Sequence, residues 1–371
     1  MSTKSTTVGF QLAAPEASHI ATSENAHEIG AHGEFSRQDN AFTTPFGDGP
    51  GQLPVEAGRY RLIVARICPW AHRQLITREV LGLTDAISVG VTAPVRTDNG
   101  WRFSLDPGDK DPVLGIEYLN EAYLAADPGY DRRGTVPAVV DVTTGKVVQN
   151  DYHRLSNYWE VAWRRLQPDD APDLYPSSLR PAIDEMSRLN FHAVNNGVYK
   201  AGFAHTQEAY EQAFDALFAR LDALEQLLGQ QRFLLGEHIT DSDVRLFPTL
   251  VRFDTAYYVA FRTNRNRLID FPNLWNYARE LYALPGWGST TDFQAIKLGY
   301  FGSTNVTGAA RVIIPKGPDL SGWDQASTRA EQFGDGDVYL RHGGRPRNPL
   351  ARVTVMSRRG EATGTSMPLN S

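Results

Sequence analysis

The sequence predicts an α/β plus all-α fold, in which a small α/β domain precedes an all-helical domain. From about residue 56, apolar and β-branched stretches indicate strand, helix, strand, helix, hairpin and helix in that order. From about residue 179 the apolar positions recur at helical spacing instead. We therefore expect an extended arm over 1–55, the α/β domain over 56–168, the helical domain over 179–318 and an irregular or partly disordered tail over 319–371.

The arm mixes Gly, Ser, Thr, Asn and Pro with few periodic apolar positions, which predicts little regular structure. Its stretch Gly47–Gly51 resembles a phosphate-binding loop, but no predicted strand precedes it and no helix clearly follows, so we expect a flexible connection. His27 and His32 are one position too far apart for the zinc-protease motif and would not share a helical face. We therefore expect no metal site there.

Cys68, the single cysteine of the chain, follows a predicted strand over 59–66 and precedes a predicted helix over 70–81. Pro69 suits the first helical position, where its missing N–H costs nothing. Unpaired N–H groups and the helix dipole stabilise a thiolate at such a turn, and can lower a thiol pKa from about 8.5 to between about 3.5 and 7.5. The alternative is a buried, inert cysteine. The position and its neighbours favour a catalytic thiol.

The remaining elements of the α/β domain are predicted in chain order as a strand over 86–95, a short helix over 116–126, a hairpin over 136–141 and 146–149, and a helix that ends near residue 165. Pro137, near the start of a hairpin strand, suggests an edge strand or a cis peptide bond. Asp151 can cap the last helix. This order is typical of the small α/β domain of thiol-redox proteins, which place a cis-proline beside the active cysteine.

The helical domain contains one long amphipathic helix, indicated by apolar residues at alternating spacings of three and four. The stripe, which we expect to pack in the core, comprises Tyr210, Phe214, Leu217, Leu221, Leu224 and Leu228. A further helix is predicted to begin after Thr240, whose hydroxyl can accept the N–H of Asp243. The Asp243 carboxylate can reach back to the Thr240 N–H, which completes a capping box.

The composition narrows the function classes. A net charge of −6 argues against nucleic acid as the main partner. One cysteine cannot form an internal disulfide, so no oxidising compartment is implied. The sequence shows neither a signal-peptide apolar core nor an apolar run of membrane-spanning length. We therefore expect a cytoplasmic protein that binds neither nucleic acid nor membrane.

Several short motifs follow one another in a fixed order between residues 33 and 318. They are Gly33–Asp39, Cys68–Arg73, Thr135–Pro137, Asn196–Ala204, Arg245–Phe247, Arg252–Asp254, Phe271–Trp275, Ile296–Lys297 and Tyr300. Each motif alone is weak, but in this order they resemble the Xi class of glutathione transferases, the glutathionyl-hydroquinone reductases.

The resemblance implies a thioredoxin-like N-terminal domain, a helical glutathione-transferase C-terminal domain and a homodimer. It also implies reductive removal of a thiol from an S-conjugated hydroquinone. The Cys68 thiolate would attack the sulfur of the conjugate, release the hydroquinone and form a mixed disulfide. Ala71 stands where a dithiol motif has its second cysteine, so a second small thiol must resolve that disulfide.

Three residues are implied to bind the thiol co-substrate. Trp101 and Arg133 match positions that contact it, and the backbone of Val136 would pair with its peptide-like backbone. Arg133 suits a carboxylate through a bidentate contact. By sequence alone, an exposed arginine in a Gly-rich turn is an equal alternative for Arg133.

Tyr199 and Tyr300 match the family tyrosines that line the hydroquinone pocket. Their phenols can hydrogen-bond the substrate oxygens and assist proton transfer. Without the resemblance both would be ordinary residues of amphipathic helices. Tyr257 is a weaker candidate for the same pocket, and His72 is expected to pack or face solvent rather than act as a base.

Three positions depart from the family pattern. Asp151 and Tyr152 stand where the family has a Glu-Ser pair that holds the γ-glutamyl end of glutathione, and Gly299 replaces a histidine. The bulky Tyr152 can intrude on the glutamyl position and leave a polar group of the substrate unpaired. We therefore expect either glutathione or mycothiol, which lacks a γ-glutamyl arm, as the thiol co-substrate.

Two other functions stay open at this point. One is a general thioltransferase or dehydroascorbate reductase of the Omega type, over which Tyr199 and Tyr300 favour the quinol substrate. The other is a non-catalytic binding module. It predicts a thiol of ordinary pKa and no loss of activity when Cys68 is replaced.

Overall fold

The computed structural model of the chain describes residues 28–303 and 312–344. The predictions made for the first 27 residues, among them the role of His27, lie outside the described residues. The same holds for the end of the predicted tail, from residue 345 onward.

The α/β domain is built on a four-stranded sheet with the strand order β2-β1-β3-β4. The strands are β1 (Tyr60–Ala65), β2 (Ile87–Thr92), β3 (Ala138–Asp141) and β4 (Lys146–Gln149). Strand β1 pairs in parallel with β2, which places Tyr60 opposite Ile87, and antiparallel with β3. Strands β3 and β4 form the predicted hairpin. The second strand is shorter than predicted because the chain leaves the sheet after Thr92.

Helices cover both faces of the sheet, which explains why every residue of β1 is buried. Helices α1 (Pro69–Val80) and α3 (Leu155–Val161) pack on one face, and α2 (Leu119–Ala126) packs on the other. Leu62 and Val64 of β1 belong to the first core, whereas Ile63 belongs to the second. This alternation follows from the period of two along a strand.

The turn between β1 and α1 has the predicted form. Cys68 is the N-terminal cap residue of α1 in an extended conformation, and Pro69 occupies the first helical position. The Cys68 N–H donates to the Ala65 carbonyl at 2.8 Å, and the Cys68 carbonyl accepts from the His72 N–H at 3.0 Å. The peptide bond between Val136 and Pro137 is cis, as the sequence suggested.

Asp151 does not cap α3 with its side chain, which corrects that prediction. The cap residue is Arg154, three positions later. The Asp151 carboxylate instead accepts the N–H of His153 at 3.0 Å and the side-chain amide of Asn40 at 3.0 Å. A carboxylate that closes this short turn is already occupied before the helix begins.

The second domain is entirely helical in its described part. Its helices are α4 (Arg180–Asn190), α5 (Gly197–Gly202), α6 (Gln207–Leu228), α7 (Asp241–Arg252), α8 (Tyr258–Ala260), α9 (Pro272–Tyr282) and α10 (Phe293–Phe301). Helix α6 carries the predicted stripe, although Tyr210 and Phe214 at its N-terminal end are only half-buried. At the start of α7 the Asp243 carboxylate accepts the Thr240 N–H at 2.8 Å, which confirms the capping box.

The described parts of the arm, residues 28–55, and of the tail, residues 319–344, are largely irregular, but both pack on the domains. In the arm, the Gly47 N–H donates to the Leu53 carbonyl at 3.0 Å, so Gly47–Gly51 forms a closed turn rather than the flexible connection we expected. In the tail, the short helix α11 (Arg329–Phe333) carries the fully buried Arg329. The Arg329 guanidinium donates to the Leu228 carbonyl at 3.0 Å, which ties the tail to the end of α6.

None of the helices within residues 28–303 and 312–344 combines the length and the apolar character needed to span a membrane.

Candidate active site

One pocket brings together most of the residues singled out from the sequence. It lies between the β1–α1 turn, the loop before the cis-proline, the arm, and helices α5 and α10. The predicted residues that line it are Cys68, Trp101, Arg133, Val136, Tyr152, Tyr199 and Tyr300. Asp151 is not among the lining residues, and its Oδ1 accepts from the Asn40 side chain and the His153 N–H.

The Cys68 thiol faces this pocket and is half-buried. Its Sγ donates to the Val136 carbonyl oxygen at 3.3 Å. Burial raises the pKa of the Cys68 thiol, while the N–H groups of Ala71 and Trp70 and the charges of two arginines oppose that rise. The N–H groups at the start of α1 therefore favour the thiolate, as predicted, but the pKa of the Cys68 thiol is still raised. Desolvation of the thiolate outweighs the N–H groups and positive charges here.

The side of the pocket formed by the α/β domain contains buried N–H groups without an acceptor in the described residues. Trp101 is buried, and its Nε1 has no hydrogen-bond acceptor among the residues that the structure describes. Arg133 pairs with Glu28 at 3.0 Å, while its Nε is buried without an acceptor in the same part of the chain. The Arg133 side chain is 24% exposed and lines the pocket, and its part in ligand binding stays a prediction. Two buried donors beside Cys68 suit a polar ligand that supplies acceptors.

Tyr152 forms part of an aromatic wall rather than an open polar site. Its ring lies 4.9 Å from Trp70 and 4.2 Å from His153, measured between centroids. Burial raises the pKa of the Tyr152 phenol, so the group stays protonated. The ring occupies space that a serine would leave open.

Three tyrosine hydroxyls meet on the helical side of the pocket. The Tyr199 and Tyr300 hydroxyls are 2.6 Å apart, and Tyr300 donates to Tyr257 at 3.1 Å. Tyr199 and Tyr300 line the pocket, whereas Tyr257 lies behind them. Burial raises the pKa of all three phenols, so they remain proton donors at neutral pH. We call Tyr199, Tyr257 and Tyr300 the tyrosine cluster.

His72 does not reach the reacting groups. It is buried, with Nε2 at 3.0 Å from the Thr290 hydroxyl and Nδ1 at 2.9 Å from Arg252. Burial and the neighbouring charge of Arg252 lower the pKa of His72 well below its ordinary value, so it stays neutral. Arg252 also donates to the Ile67 carbonyl at 2.8 Å and thereby holds the turn before Cys68 against α7.

No sequence pattern assigned a role to Arg37, although this residue lies in the Gly33–Asp39 motif. Arg37 lines the pocket, and its guanidinium carbon lies 4.8 Å from the centre of the Tyr199 ring.

The missing histidine at Gly299 also has a structural reason. A Cβ at this position would approach the Ile67 side chain to 2.3 Å, so a larger residue requires Ile67 to move.

The described residues contain no group of three or more His, Cys, Asp or Glu side chains arranged to hold a metal ion. The site therefore offers a thiol, two buried donors and a set of protonated phenols. Thiol exchange at Cys68 next to a proton-donating wall is the chemistry that this arrangement can perform.

A thioredoxin-like domain with a cysteine at the first turn, joined to a helical domain, defines a cysteine-containing transferase of the glutathione transferase fold. In agreement with this class, the family model described as the C-terminal domain of glutathione S-transferase matches residues 207–280.

The relatives define the family more narrowly. The chain is 40% identical over 316 residues to the glutathionyl-hydroquinone reductase YqjG of Escherichia coli, covering 81% of this chain and 94% of that protein. Among solved structures, a glutathione transferase from Gordonia bronchialis is 48% identical with a TM-score of 0.74, over 80% of this chain and 91% of that one. The Xi transferase of Phanerochaete chrysosporium is 40% identical with a TM-score of 0.74, over 79% and 95%. The chain belongs to the Xi class of glutathione transferases, the glutathionyl-hydroquinone reductase family.

Proposed function

We propose that this protein is an enzyme that removes a low-molecular-weight thiol from S-conjugated hydroquinones through a mixed disulfide on Cys68. The observation that carries the proposal is that the Cys68 thiol and the paired hydroxyls of Tyr199 and Tyr300 line one pocket. The membership in the glutathionyl-hydroquinone reductase family supports the same substrate class.

The first step breaks the bond between the aromatic carbon and sulfur. An aryl carbanion is too unstable to leave, so the ring carbon that bears sulfur must first gain a proton as the hydroquinone shifts to its keto tautomer. The Cys68 thiolate then attacks the sulfur, a sulfur–sulfur bond forms, and the electron pair of the carbon–sulfur bond returns the ring to the phenolate. Tyr199 and Tyr300 are placed to hold and move these protons, because both are protonated and face the pocket.

The second step needs a thiol from solution. The chain holds no second cysteine that could attack the mixed disulfide. A second molecule of the thiol attacks instead, which regenerates the Cys68 thiolate and releases the oxidised thiol as its disulfide. The sum is conjugate plus thiol giving hydroquinone plus disulfide, so the balance requires no further reductant.

The identity of the thiol is either glutathione or mycothiol. The glutathione-bound structure of YqjG, 39% identical to this chain, supports glutathione. The Asp151-Tyr152 pair supports mycothiol, because Asp151 is turned toward Asn40 and Tyr152 fills the wall with its ring. Mycothiol has no γ-glutamyl arm, so it loses nothing at these two positions.

The test is turnover of glutathionyl-menadiol and mycothiyl-menadiol, each with its matching free thiol, by the wild type and Cys68→Ala. Turnover of only the mycothiyl conjugate assigns the Asp151-Tyr152 departure to the choice of thiol. Turnover of the glutathionyl conjugate shows that Tyr152 is compatible with glutathione. If neither conjugate reacts, or if Cys68→Ala matches the wild type, the reductase function is wrong and a binding module is favoured.

A general thioltransferase or dehydroascorbate reductase activity is the second candidate, since a half-buried thiol in an open pocket also reacts with simple disulfides. Measuring dehydroascorbate and a mixed disulfide beside the quinol conjugates ranks the activities. We also propose that the protein is a cytoplasmic homodimer, as its family resemblance implies. Light scattering coupled to gel filtration and fractionation of the source cells test these two points.

A further inference from the structure

Arg37 has an unusual environment for a residue of the irregular arm. Its guanidinium carbon lies 4.8 Å from the centre of the Tyr199 ring, 4.9 Å from that of Trp70 and 5.1 Å from that of Phe35. Three aromatic rings therefore surround one cation. Such cation–π contacts hold a guanidinium in place, and they are strongest where the cation is desolvated.

In the described residues, the single hydrogen bond of Arg37 leaves a buried donor group unused. Its Nε donates to the Asn196 side-chain oxygen at 3.1 Å. Its Nη2 is buried and has no acceptor within the described part of the chain, where Arg37 also forms no ion pair. A buried donor without an acceptor is destabilising, so its retention calls for an explanation.

Arg37 lines the same pocket as Cys68 and the two pocket-facing tyrosines. A fixed cation with an unused donor in this position suits an anionic oxygen of the substrate. On the proposed reaction path, such an oxygen arises when the carbon–sulfur bond breaks and the hydroquinone leaves as its phenolate. Tyr199, which lies directly under the guanidinium, belongs to the wall assigned to the hydroquinone.

We propose that Arg37 is a catalytic residue whose Nη2 donates a hydrogen bond to the hydroquinone oxygen that becomes negatively charged as the carbon–sulfur bond breaks. This inference rests on the proposed function. Arg37 neither forms nor breaks a covalent bond in this step. It stabilises the charge that the electron pair leaves on oxygen, and a tyrosine or water then returns the proton. Pre-positioned donors of this kind contribute about 100-fold or more to rate.

The other anionic oxygen available is a carboxylate of the thiol co-substrate. The two sources predict different substrate dependence. If Arg37 binds the hydroquinone oxygen, replacing it slows only substrates that release a phenolate. If it binds a thiol carboxylate, every substrate that carries the same thiol slows equally.

The experiment compares glutathionyl-menadiol with the mixed disulfide of glutathione and 2-mercaptoethanol, or the two mycothiyl counterparts where the wild type accepts mycothiol. Both substrates react with the same Cys68 thiolate, so the ratio of their kcat/KM values cancels any change in the ionised fraction. The variants are Arg37→Met, Arg37→Lys and the matched control Arg180→Met. Arg180 also lies over a tyrosine ring, 5.0 Å from the centre of Tyr175, but outside the pocket.

We expect Arg37→Met to lower the ratio by about 100-fold, Arg37→Lys to recover part of the loss, and Arg180→Met to leave it unchanged. The disulfide reaction also reports whether the variants are folded. An unchanged ratio in Arg37→Met, with or without an equal loss on both substrates, would overturn the proposal. If wild type fails on both menadiol conjugates but reduces the disulfides, the proposed function itself has failed.

Discussion

The two sides of the pocket are built in different ways. The thioredoxin-like side depends on local sequence, because Cys68 and Pro69 define the turn and the first helical residue by themselves. The helical side depends on distant residues, since Tyr199 and Tyr300 are 101 positions apart and their hydroxyls are 2.6 Å apart. The position of the proposed nucleophile is therefore set by a short motif, and the positions of the proposed proton donors are set by the tertiary fold.

The two sides also differ in how burial affects them. Burial raises the pKa of the Cys68 thiol, which works against the thiolate that the reaction needs. Burial also raises the pKa of the tyrosine cluster, which keeps the protons that the reaction needs. Burial therefore opposes the ionisation of Cys68 and supports the retention of the tyrosine protons. Positive charge from Arg252 and Arg37 acts on the thiol in the opposite direction.

The largest expected effect is at the nucleophile. Cys68→Ser keeps a hydroxyl that can donate to the Val136 carbonyl, but an alcohol cannot form the mixed disulfide. We expect turnover of the quinol conjugate to fall by about 1,000-fold or more, with an unchanged far-ultraviolet circular dichroism spectrum. Mass spectrometry of the wild type mixed with conjugate alone should show the thiol adduct on Cys68. Residual turnover within tenfold of wild type would contradict nucleophilic catalysis.

The tyrosine cluster should have the next largest effect. Tyr199→Phe and Tyr300→Phe each remove one hydroxyl of the closest pair, and we expect kcat on the quinol conjugate to fall by about 100-fold. Because the two hydroxyls act as one unit, the double variant should lose less than the product of the single losses. Alkylation of Cys68 by iodoacetamide should proceed at nearly the wild-type rate.

Tyr175→Phe is the matched control for the tyrosine variants. The Tyr175 hydroxyl donates to Asp184 at 2.7 Å near the surface, outside the pocket. This variant should retain wild-type kcat. If Tyr199→Phe and Tyr300→Phe also retain it, the helical side binds substrate without moving protons.

The sequence predicted the thioredoxin-like side almost completely. The apolar, β-branched strand before Cys68, the proline after it and the hairpin signal are all local, and the structure confirms each of them. The positions of the two pocket-facing tyrosines came only from the family resemblance, because helical spacing does not show which distant residues meet. Most of the predicted site residues meet in one pocket, although their chemical roles stay predictions.

Two errors have physical causes. Asp151 was expected to cap α3, but a preceding turn and Asn40 already use its carboxylate. Arg37 received no role because the arm has no periodicity that indicates burial. Its environment depends on rings contributed by α1 and α5, which only the folded chain brings together.

A smaller effect on turnover is expected at Tyr152, where the chain departs from the family pattern. Tyr152→Ser introduces the small hydroxyl that the family resemblance implies at this position and removes the ring packed against Trp70 and His153. We expect the preference for glutathionyl- over mycothiyl-menadiol, as a ratio of kcat/KM values, to rise by about tenfold. The lost ring contacts should also lower the free energy of unfolding by about 1–3 kcal/mol, measurable by urea denaturation. An unchanged preference would show that Tyr152 does not select the thiol.

The smallest effect concerns the pH dependence of the thiol itself. A raised pKa means that the folded protein holds the Cys68 proton at a pH where the unfolded chain has lost it. The rate of alkylation by iodoacetamide should therefore rise with pH to a midpoint above the ordinary thiol value of about 8.5. The free energy of unfolding should fall slightly over the same range, because the unfolded thiol ionises first.

Variants of the arginines near the thiol extend the alkylation measurement, because the charges of these arginines act on the pKa of Cys68. Since the charge of Arg37 lowers the pKa of Cys68, Arg37→Met should move the alkylation midpoint to still higher pH. Arg180→Met, outside the pocket, should leave the midpoint in place. A wild-type midpoint below about 7 would reverse the conclusion on burial, because it would place Cys68 among the activated thiols of helix N-termini. The N–H groups of Ala71 and Trp70, together with the arginines, would then outweigh desolvation.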